Sequence, residues 1–244
     1  MKITILNGNP DNQKFDDYLN NLVKLLDLDP KDKANQFYNI GTALFTIGEL
    51  RKAKDYYEKA LAINEEIENK SGEANILGNI GVSLTKMGRL EEARHYYEKA
   101  LAINEEIENR SGIADTLNNI GIVLADMGRL EEAHQYYEKA LAINEELGDR
   151  VNSANIFSNV GVIIAKLGRF EEAYYYYNKA LAIHEEIGDK TGIAQDLSNI
   201  GISLFKMNKL TDSTKYLKMA IKMFEEIGQL EHIEKIQEII RMVE

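Results

Sequence analysis

The sequence repeats itself every 40 residues, and this period constrains the fold more than any other feature. The segment YYEKALAINEE begins at residues 56, 96 and 136, and the related YYNKALAIHEE begins at residue 176. Residues 69–108 and 109–148 are identical at about 27 of 40 positions. Such identity indicates duplicated units, each packing on its neighbours. A fifth, more diverged unit covers residues 189–228.

Each unit is predicted to contain two helices, because apolar and small residues recur at intervals of three and four on both sides of a short break. In the third unit, Leu117, Ile120 and Leu124 form the first stripe, while Tyr137 and Ala140 belong to the second. A residue that tolerates positive φ separates the two helices of each unit: Gly48, Gly88, Gly128, Gly168 and Asn208. Side chains that can cap the first helices precede them: Asp29, Asn69, Asn109, Asp149 and Asp189.

Small residues recur where the two helices of a unit must approach closely. They are Gly41, Gly81, Gly121, Gly161 and Gly201 in the first helices, and Ala60, Ala100, Ala140, Ala180 and Ala220 in the second. Together with Phe37, Ile40, Leu44, Ala53 and Tyr57, this series resembles the tetratricopeptide repeat. The resemblance implies an all-α fold, a right-handed superhelix (α-solenoid) of five helix-turn-helix repeats with a capping helix at each end.

The units depart from the usual family pattern in two ways. The common period is about 34 residues with a proline after the second helix, whereas these units have 40 residues and lack that proline. This variant is similar to the repeats of kinesin light chain and Pins-type adaptors. In the fifth unit Ser213 and Leu217 replace a small and an aromatic residue, which indicates a unit near the end of the array.

The predicted organisation has three parts. Residues 1–28 form a strand-like segment and a front capping helix, residues 29–228 form the repeats, and residues 229–244 form a C-terminal capping helix. The five repeats are 29–68, 69–108, 109–148, 149–188 and 189–228.

The first ten residues, MKITILNGNP, resemble the first strand and loop of flavodoxin-like flavin reductases. The resemblance ends by about residue 28, and a flavin site needs several loops of a parallel sheet. We therefore expect that the chain binds no flavin. Residues 1–8 are predicted to be disordered or paired with another chain, so that their deletion leaves the helical circular dichroism signal nearly intact.

Composition disfavours several classes of protein. The chain has no cysteine, which excludes a disulfide framework and zinc-thiolate sites. A formal charge of −11 disfavours binding to nucleic acid, whose phosphates would be repelled. The apolar stretches are far shorter than the roughly 20 residues that span a bilayer. We expect a cytoplasmic protein that binds neither nucleic acid nor membranes.

The residues that could suggest catalysis are interpreted as surface or packing residues. The histidines, taken as surface residues, are His95, His134, His184 and His232. A Glu-Glu pair ends every unit and is taken as a solvated acidic face, and the cluster Tyr174 to Tyr177 is taken as at least half core packing. No spacing indicates a phosphate-binding loop or a catalytic constellation. We expect no enzymatic activity, no metal and no cofactor.

One polar residue recurs inside the otherwise apolar first helix of every unit. It is asparagine each time: Asn39, Asn79, Asn119, Asn159 and Asn199. Asparagine is a mediocre helix former, so a place in mid-helix needs a use for its amide. Polar residues four positions before it and seven after it share its face: Asn75, Asp115, Asn155, Lys86, Lys166 and Lys206.

Two interpretations of these asparagines are open. The family resemblance implies that the first helices line a concave surface and that the asparagines grip a peptide backbone there. An amide can both donate to and accept from such a backbone, and stacked helices about 8–10 Å apart would meet about every third residue of an extended chain. Alternatively, each amide bonds the neighbouring repeat and fixes the stacking.

The leading functional prediction is an interaction scaffold that holds an extended peptide segment of a protein partner on the concave face. One alternative is a structural protein that self-assembles into homo-oligomers through its end or its N-terminal strand. The other is a regulatory receptor for a short free peptide.

Overall fold

The computed structural model describes residues 28–242, and within that range the chain is α-helical and contains no strand. The chain divides into two compact units, Met1–Ile107 and Glu108–Glu244, here called unit 1 and unit 2. These names refer to the two larger divisions of the chain, and each 40-residue segment is called a repeat from here on. The predictions of a strand, a front capping helix and no flavin site within residues 1–27 lie outside the described residues. The all-α class predicted from the 40-residue period is confirmed.

Unit 1 contains two helix pairs. Its helices are α1 (Pro30–Thr46), α2 (Leu50–Glu66), α3 (Lys70–Lys86) and α4 (Leu90–Glu106). Each helix packs against the next one along the chain.

Unit 2 contains three helix pairs and a final amphipathic helix. Its helices are α5 (Arg110–Asp126), α6 (Leu130–Leu147), α7 (Arg150–Lys166), α8 (Phe170–Ile187), α9 (Lys190–Lys206), α10 (Leu210–Ile227), a short 3-10 helix (Leu230–His232) and α11 (Ile233–Arg241). Consecutive helices pack against each other, and the first helices α5, α7 and α9 also contact one another in turn. Helix α11 packs against α10, with Ile236 and Ile240 buried.

The helix ends form as the sequence predicts. Gly128 lies between α5 and α6 with a φ of 78°, and Asn208 has a φ of 59° at the equivalent place between α9 and α10. The Oδ1 atom of Asn109 accepts a hydrogen bond from the backbone N–H of Gly112 at 3.2 Å. Such a cap satisfies an amide that the first turn of a helix leaves unpaired.

The glycines of the first helices make room for an aromatic ring. A Cβ atom added to Gly121 would lie 2.5 Å from Cε1 of Tyr137, and Tyr137 is almost fully buried against it. In the fifth repeat Leu217 fills the same place against Gly201, and the Ser213 hydroxyl donates to the Gly201 carbonyl oxygen at 2.8 Å. The two departures of the fifth repeat therefore preserve its packing.

The tyrosine cluster of α8 is divided between core and surface. Tyr177 is buried in the register of Tyr137, whereas 54% of Tyr175 is exposed. The ammonium group of Lys179 lies 4.8 Å from the centre of the Tyr175 ring and 5.1 Å from that of Phe157. These cation–π contacts occupy the exposed side of the cluster.

The repeated glutamates are more than a solvated face. The second glutamate of each pair from α4 onward meets a basic residue at the start of the same repeat: Lys70 with Glu106, Arg110 with Glu146, Arg150 with Glu186 and Lys190 with Glu226. These ion pairs join the two ends of a helix pair. They are exposed, so each contributes at most about 1 kcal/mol to stability.

The prediction that all four histidines are surface residues is wrong for His184. Its side chain is 2% exposed, and Nδ1 lies 2.7 Å from Oδ2 of Asp196, which is fully buried. The other oxygen of Asp196 accepts a hydrogen bond from the Ser158 hydroxyl at 2.7 Å. In the 40-residue register His184 replaces the buried asparagines Asn64, Asn104 and Asn144. A buried carboxylate needs such partners, and this repeat supplies them.

Candidate peptide-binding site

The five repeated asparagines lie near the middle of α1, α3, α5, α7 and α9. Asn39 is exposed and the other four are partly exposed. The residues four positions before them and seven after them are all exposed. Each unit thus presents an accessible polar strip on its first helices. The asparagine face of unit 2 is defined by Asn119, Asn159 and Asn199, with Asp115, Asn155 and Gln195 before them and Asp126, Lys166 and Lys206 after them.

In unit 1 the two asparagines differ. The amide nitrogen of Asn79 donates to both the carbonyl oxygen and Oδ1 of Asn75 at 3.0 Å, and lies 3.4 Å from the hydroxyl of Tyr38 in the preceding repeat. Asn39 makes no side-chain hydrogen bond with the described residues. Lys86 extends over the ring of Phe45, 5.3 Å from its centre.

In unit 2 the three asparagines also differ. The amide nitrogen of Asn159 donates to Oδ1 of Asn118 in the preceding repeat at 3.1 Å. The side chains of Asn119 and Asn199 make no hydrogen bond with the described part of the chain. Asn159 thus makes the kind of bond to a neighbouring repeat that the stacking interpretation expects. Asn119 and Asn199 make no such bond within the described residues, and contact with a peptide stays a prediction for them.

Two further hydrogen bonds link the first helices of unit 2. Asn152 on α7 donates to Oδ1 of Asp115 on α5 at 3.2 Å, and Ser158 on α7 donates to Asp196 on α9. One bond joins α5 to α7 and the other joins α7 to α9, so the three helices that carry the asparagine face are linked through their side chains. Sequence reasoning missed Asn118, Asn152 and Ser158, although each is a polar residue in a predicted apolar helix.

The charges on the asparagine face of unit 2 change sign once, between the acidic helix α5 and the basic helices α7 and α9. Asp115 and Asp126 lie on α5, Lys166 on α7 and Lys206 on α9. Within the described residues, neither Asp126 nor the two lysines form an ion pair. Although Asp115 is exposed, the protein atoms around its carboxylate reduce the solvation of that group and raise its pKa, and the nearby charge of Asp149 adds to this rise.

A cavity of about 310 Å³ is lined by residues of α9 and α11, together with Phe224 of α10 and His232 of the short 3-10 helix. The α9 side consists of Gln195, Ser198, Asn199 and Ile202, which follow one face of that helix. Phe224, Ile236 and Ile239 supply apolar surface, and His232 and Lys235 stand beside it. The sequence did not indicate this cavity, because it depends on how α11 packs.

The described residues were also searched for metal sites and for membrane-spanning helices. In residues 28–242 no cluster of three or more histidine, aspartate or glutamate side chains is arranged to hold a metal ion. No helix in that range is both long and apolar enough to cross a bilayer.

Comparison with protein families gives two matches, both described as tetratricopeptide repeat. One family model matches residues 72–146 and 152–226, and a second matches residues 34–67. The matches together cover more than half of the chain. No significantly similar sequence was found among curated proteins.

Three solved structures illustrate the likeness of the fold. BtubC (BKLC) from P. vanneervenii is 20% identical with a TM-score of 0.73, covering 87% of each chain. The Rap conjugation gene regulator of the plasmid pLS20, solved in complex with the Phr* peptide, is 22% identical with a TM-score of 0.74, covering 90% of this chain and 62% of that one. TPR-like repeats of a kinesin light chain of P. anserina are 11% identical with a TM-score of 0.67, covering 83% and 99%.

Likeness at these identities shows the fold, and the family matches show the ancestry of the repeats. The helix pairs, the turn residues and the glycine–tyrosine packing are those expected from the sequence. The chain belongs to the tetratricopeptide repeat family.

Proposed function

We propose that this protein is an interaction scaffold whose asparagine face in unit 2 binds an extended peptide segment of a partner protein. The observation that carries the proposal is the state of Asn119 and Asn199. Both are partly exposed in the middle of a helix, and neither amide is used by a described residue. Asparagine is a poorer helix former than many other residues. Because no described residue uses these two amides, we infer that a ligand does.

The chemistry of the face suits a peptide backbone. Each free amide offers two N–H donors and one oxygen acceptor, which match the C=O and N–H groups of an extended chain whatever its side chains. With helices about 8–10 Å apart, successive asparagines would meet about every third ligand residue. Three repeats therefore address a segment of roughly seven to ten residues. Asn39 and Asn79 of unit 1, with Asn75 and Lys86 beside them, are proposed to make contacts of the same kind.

The charges of the face indicate what the ligand carries. Asp115 and Asp126 favour basic ligand residues over α5, whereas Lys166 and Lys206 favour acidic ones over α7 and α9. Complementary charges of this kind steer association and select a partner more than they raise affinity. The proposed ligand is therefore a segment with basic residues at one end and acidic residues at the other.

A second candidate function is reception of a short free peptide. The likeness to a Rap regulator that was solved in complex with the Phr* peptide favours it, and so does the cavity beside Asn199. Because this chain spans 62% of the regulator, only the mode of peptide contact is transferred. Neither candidate function requires a catalytic residue or a cofactor.

Site-specific photocrosslinking tests the proposal. A benzophenone amino acid is placed at Asn155, which is exposed on the asparagine face, and in a control variant at Glu138, which is exposed on the second helix α6. Each variant is irradiated in cell extract of the source organism, and crosslinked partners are digested and mapped. A contiguous partner segment captured from Asn155 and absent from Glu138 is the expected result. Equal capture from both positions would contradict binding at this face.

A further inference from the structure

The cavity between α9 and α11 lies at a place where the repeat pattern changes. In the 40-residue register, Lys235 corresponds to Asp115, Asn155 and Gln195. Ile239 corresponds to the repeated asparagines Asn119, Asn159 and Asn199. Helix α11 thus follows the register of the first helices. Ile239 stands where they have the repeated asparagine, and Lys235 supplies a positive charge four residues before it.

This change alters what α11 can offer a ligand. The side chain of isoleucine cannot form a hydrogen bond with a peptide backbone. The proposed series of asparagine contacts in the last three repeats therefore ends at Asn199. In its place stand apolar surface and a positive charge. We infer that the cavity binds the C-terminal residue of the peptide, with its apolar side chain between Ile202, Ile236 and Ile239 and its carboxylate beside Lys235. This inference rests on the proposed function and adds a terminal subsite to it.

The lining of the cavity supports an apolar residue with a negative charge. Of its apolar lining residues, Phe224 and Ile236 are almost fully buried, while Ile202 and Ile239 are partly exposed. The volume of about 310 Å³ is at the lower end of the range for ligand pockets, about 300–1,000 Å³. It is therefore large enough for one residue rather than for a longer segment.

Charge complementarity supports the carboxylate. The residues that line the cavity include Lys235 and His232 but no aspartate or glutamate, although acidic residues outnumber basic ones by 40 to 29 in the chain. Lys235 forms no ion pair within the described residues. His232 is held by its ring contact with Phe224, 4.7 Å between centres, and lies 3.8 Å from Glu231.

Polar side chains of α9 can form hydrogen bonds with the amide group of the same ligand residue. The side chains of Gln195, Ser198 and Asn199 line the cavity and make no hydrogen bond with any described residue. An amide donor and acceptor at Asn199 can bond the N–H or C=O of the last peptide group. The ligand then runs from α5 to α11 in its N-to-C direction, with its acidic end at Lys206 and Lys235.

The test uses two small probes on the 15N-labelled full chain. N-acetyl-leucine has the side chain, the amide and the carboxylate of a C-terminal residue, while N-acetyl-leucinamide lacks only the charge. Titrations are followed by amide chemical shifts in the wild type, in Lys235→Gln, and in the control Lys222→Gln, which removes an exposed charge on α10.

The expected result is millimolar binding with shifts confined to α9, the end of α10 and α11. N-acetyl-leucine should bind about threefold or more tightly than the neutral probe, and Lys235→Gln should abolish this preference while Lys222→Gln retains it. Equal affinity for the two probes, an unaltered preference in Lys235→Gln, or shifts elsewhere would overturn the inference. The probes are too short to extend from this cavity to Asn119, so loss of the extended-peptide function alone would leave these results unchanged.

Discussion

The amide nitrogen of Asn159 donates a hydrogen bond to Oδ1 of Asn118, 3.1 Å away in the preceding repeat. The equivalent amide of Asn119 has no such partner among the described residues. Two asparagines at the same register position, one repeat apart, therefore have different surroundings. One bonds the preceding repeat, and the other makes no hydrogen bond with a described residue.

This difference predicts unequal effects on stability. Asn159→Ala removes the bond to Asn118 and should lower the free energy of unfolding by about 0.5–1.5 kcal/mol. Asn119→Ala removes no described bond and improves helix propensity, so its effect should stay within about 0.5 kcal/mol. Urea denaturation followed by circular dichroism measures both. Equal losses in the two variants would show that Asn119 also has a structural partner.

The close approach of paired helices predicts a second asymmetry. Ala140 is fully buried where α6 faces its partner helix, so Ala140→Leu should destabilise unit 2 by about 1–3 kcal/mol through overpacking. Ala142 is exposed on the same helix, and Ala142→Leu is the matched control with almost no effect expected. An unchanged denaturation midpoint for Ala140→Leu would refute the packing account.

The buried pair of His184 and Asp196 predicts a double-variant rescue. Asp196→Ile leaves Nδ1 of His184 and the hydroxyl of Ser158 without their shared partner, which should destabilise the fold by about 1–3 kcal/mol. Adding His184→Asn gives the residue types found at the equivalent positions elsewhere in the chain, where buried Asn64 goes with buried Ile76 and buried Asn144 with buried Ile156. The double variant should regain most of the loss in thermal denaturation. Additive losses would mean that the two residues do not act together.

The buried tyrosines predict loss of stability in alkali. Burial raises the pKa of Tyr97 to about 12, with the hydrogen bond of Thr85 opposing the rise, and burial also raises the pKa values of Tyr137 and Tyr177. The unfolded value is about 10, so the folded state disfavours ionisation. Stability is fully present below about pH 10 and is lost as pH rises towards 12. Tyrosinate absorbance and circular dichroism, recorded together, should show these rings ionising as helicity is lost. Complete ionisation near pH 10 with helicity retained would contradict this.

Most of the fold was predictable because duplication repeats every local signal several times. Gly128, Asn109 and the approach of Gly121 to Tyr137 each recur with the 40-residue period, so the turn, the cap and the packing could be read together. The position of the asparagine face followed from the same periodicity. Each of these features is set by short-range geometry within one helix or one helix pair.

The features that could not be predicted arise where one repeat departs from the others. The burial of His184 depends on Asp196 and Ser158, which lie on two neighbouring helices and approach it only in the folded stack. The bond between Asn159 and Asn118 depends on side-chain reach across repeats, which periodicity does not reveal. The cavity at α11 depends on the packing of a helix that follows the repeat register with different residues.

The central claim is that Asn119 and Asn199 grip a peptide backbone, and the affinity of the double variant tests it most directly. The partner segment mapped by crosslinking is synthesised and titrated against wild type, against Asn119→Ala with Asn199→Ala, and against Asn178→Ala. In the control, the one hydrogen bond that the Asn178 side chain makes with the described residues goes to the Tyr174 carbonyl oxygen of its own helix α8. Unfolding midpoints are measured on the same samples.

Loss of two backbone hydrogen bonds should weaken peptide binding by about fivefold to a hundredfold. The unfolding midpoint of the double variant should stay near that of the wild type, and the control should bind normally. Undiminished affinity in the double variant, with an earlier unfolding transition, would contradict the account and assign both asparagines to the stacking of repeats.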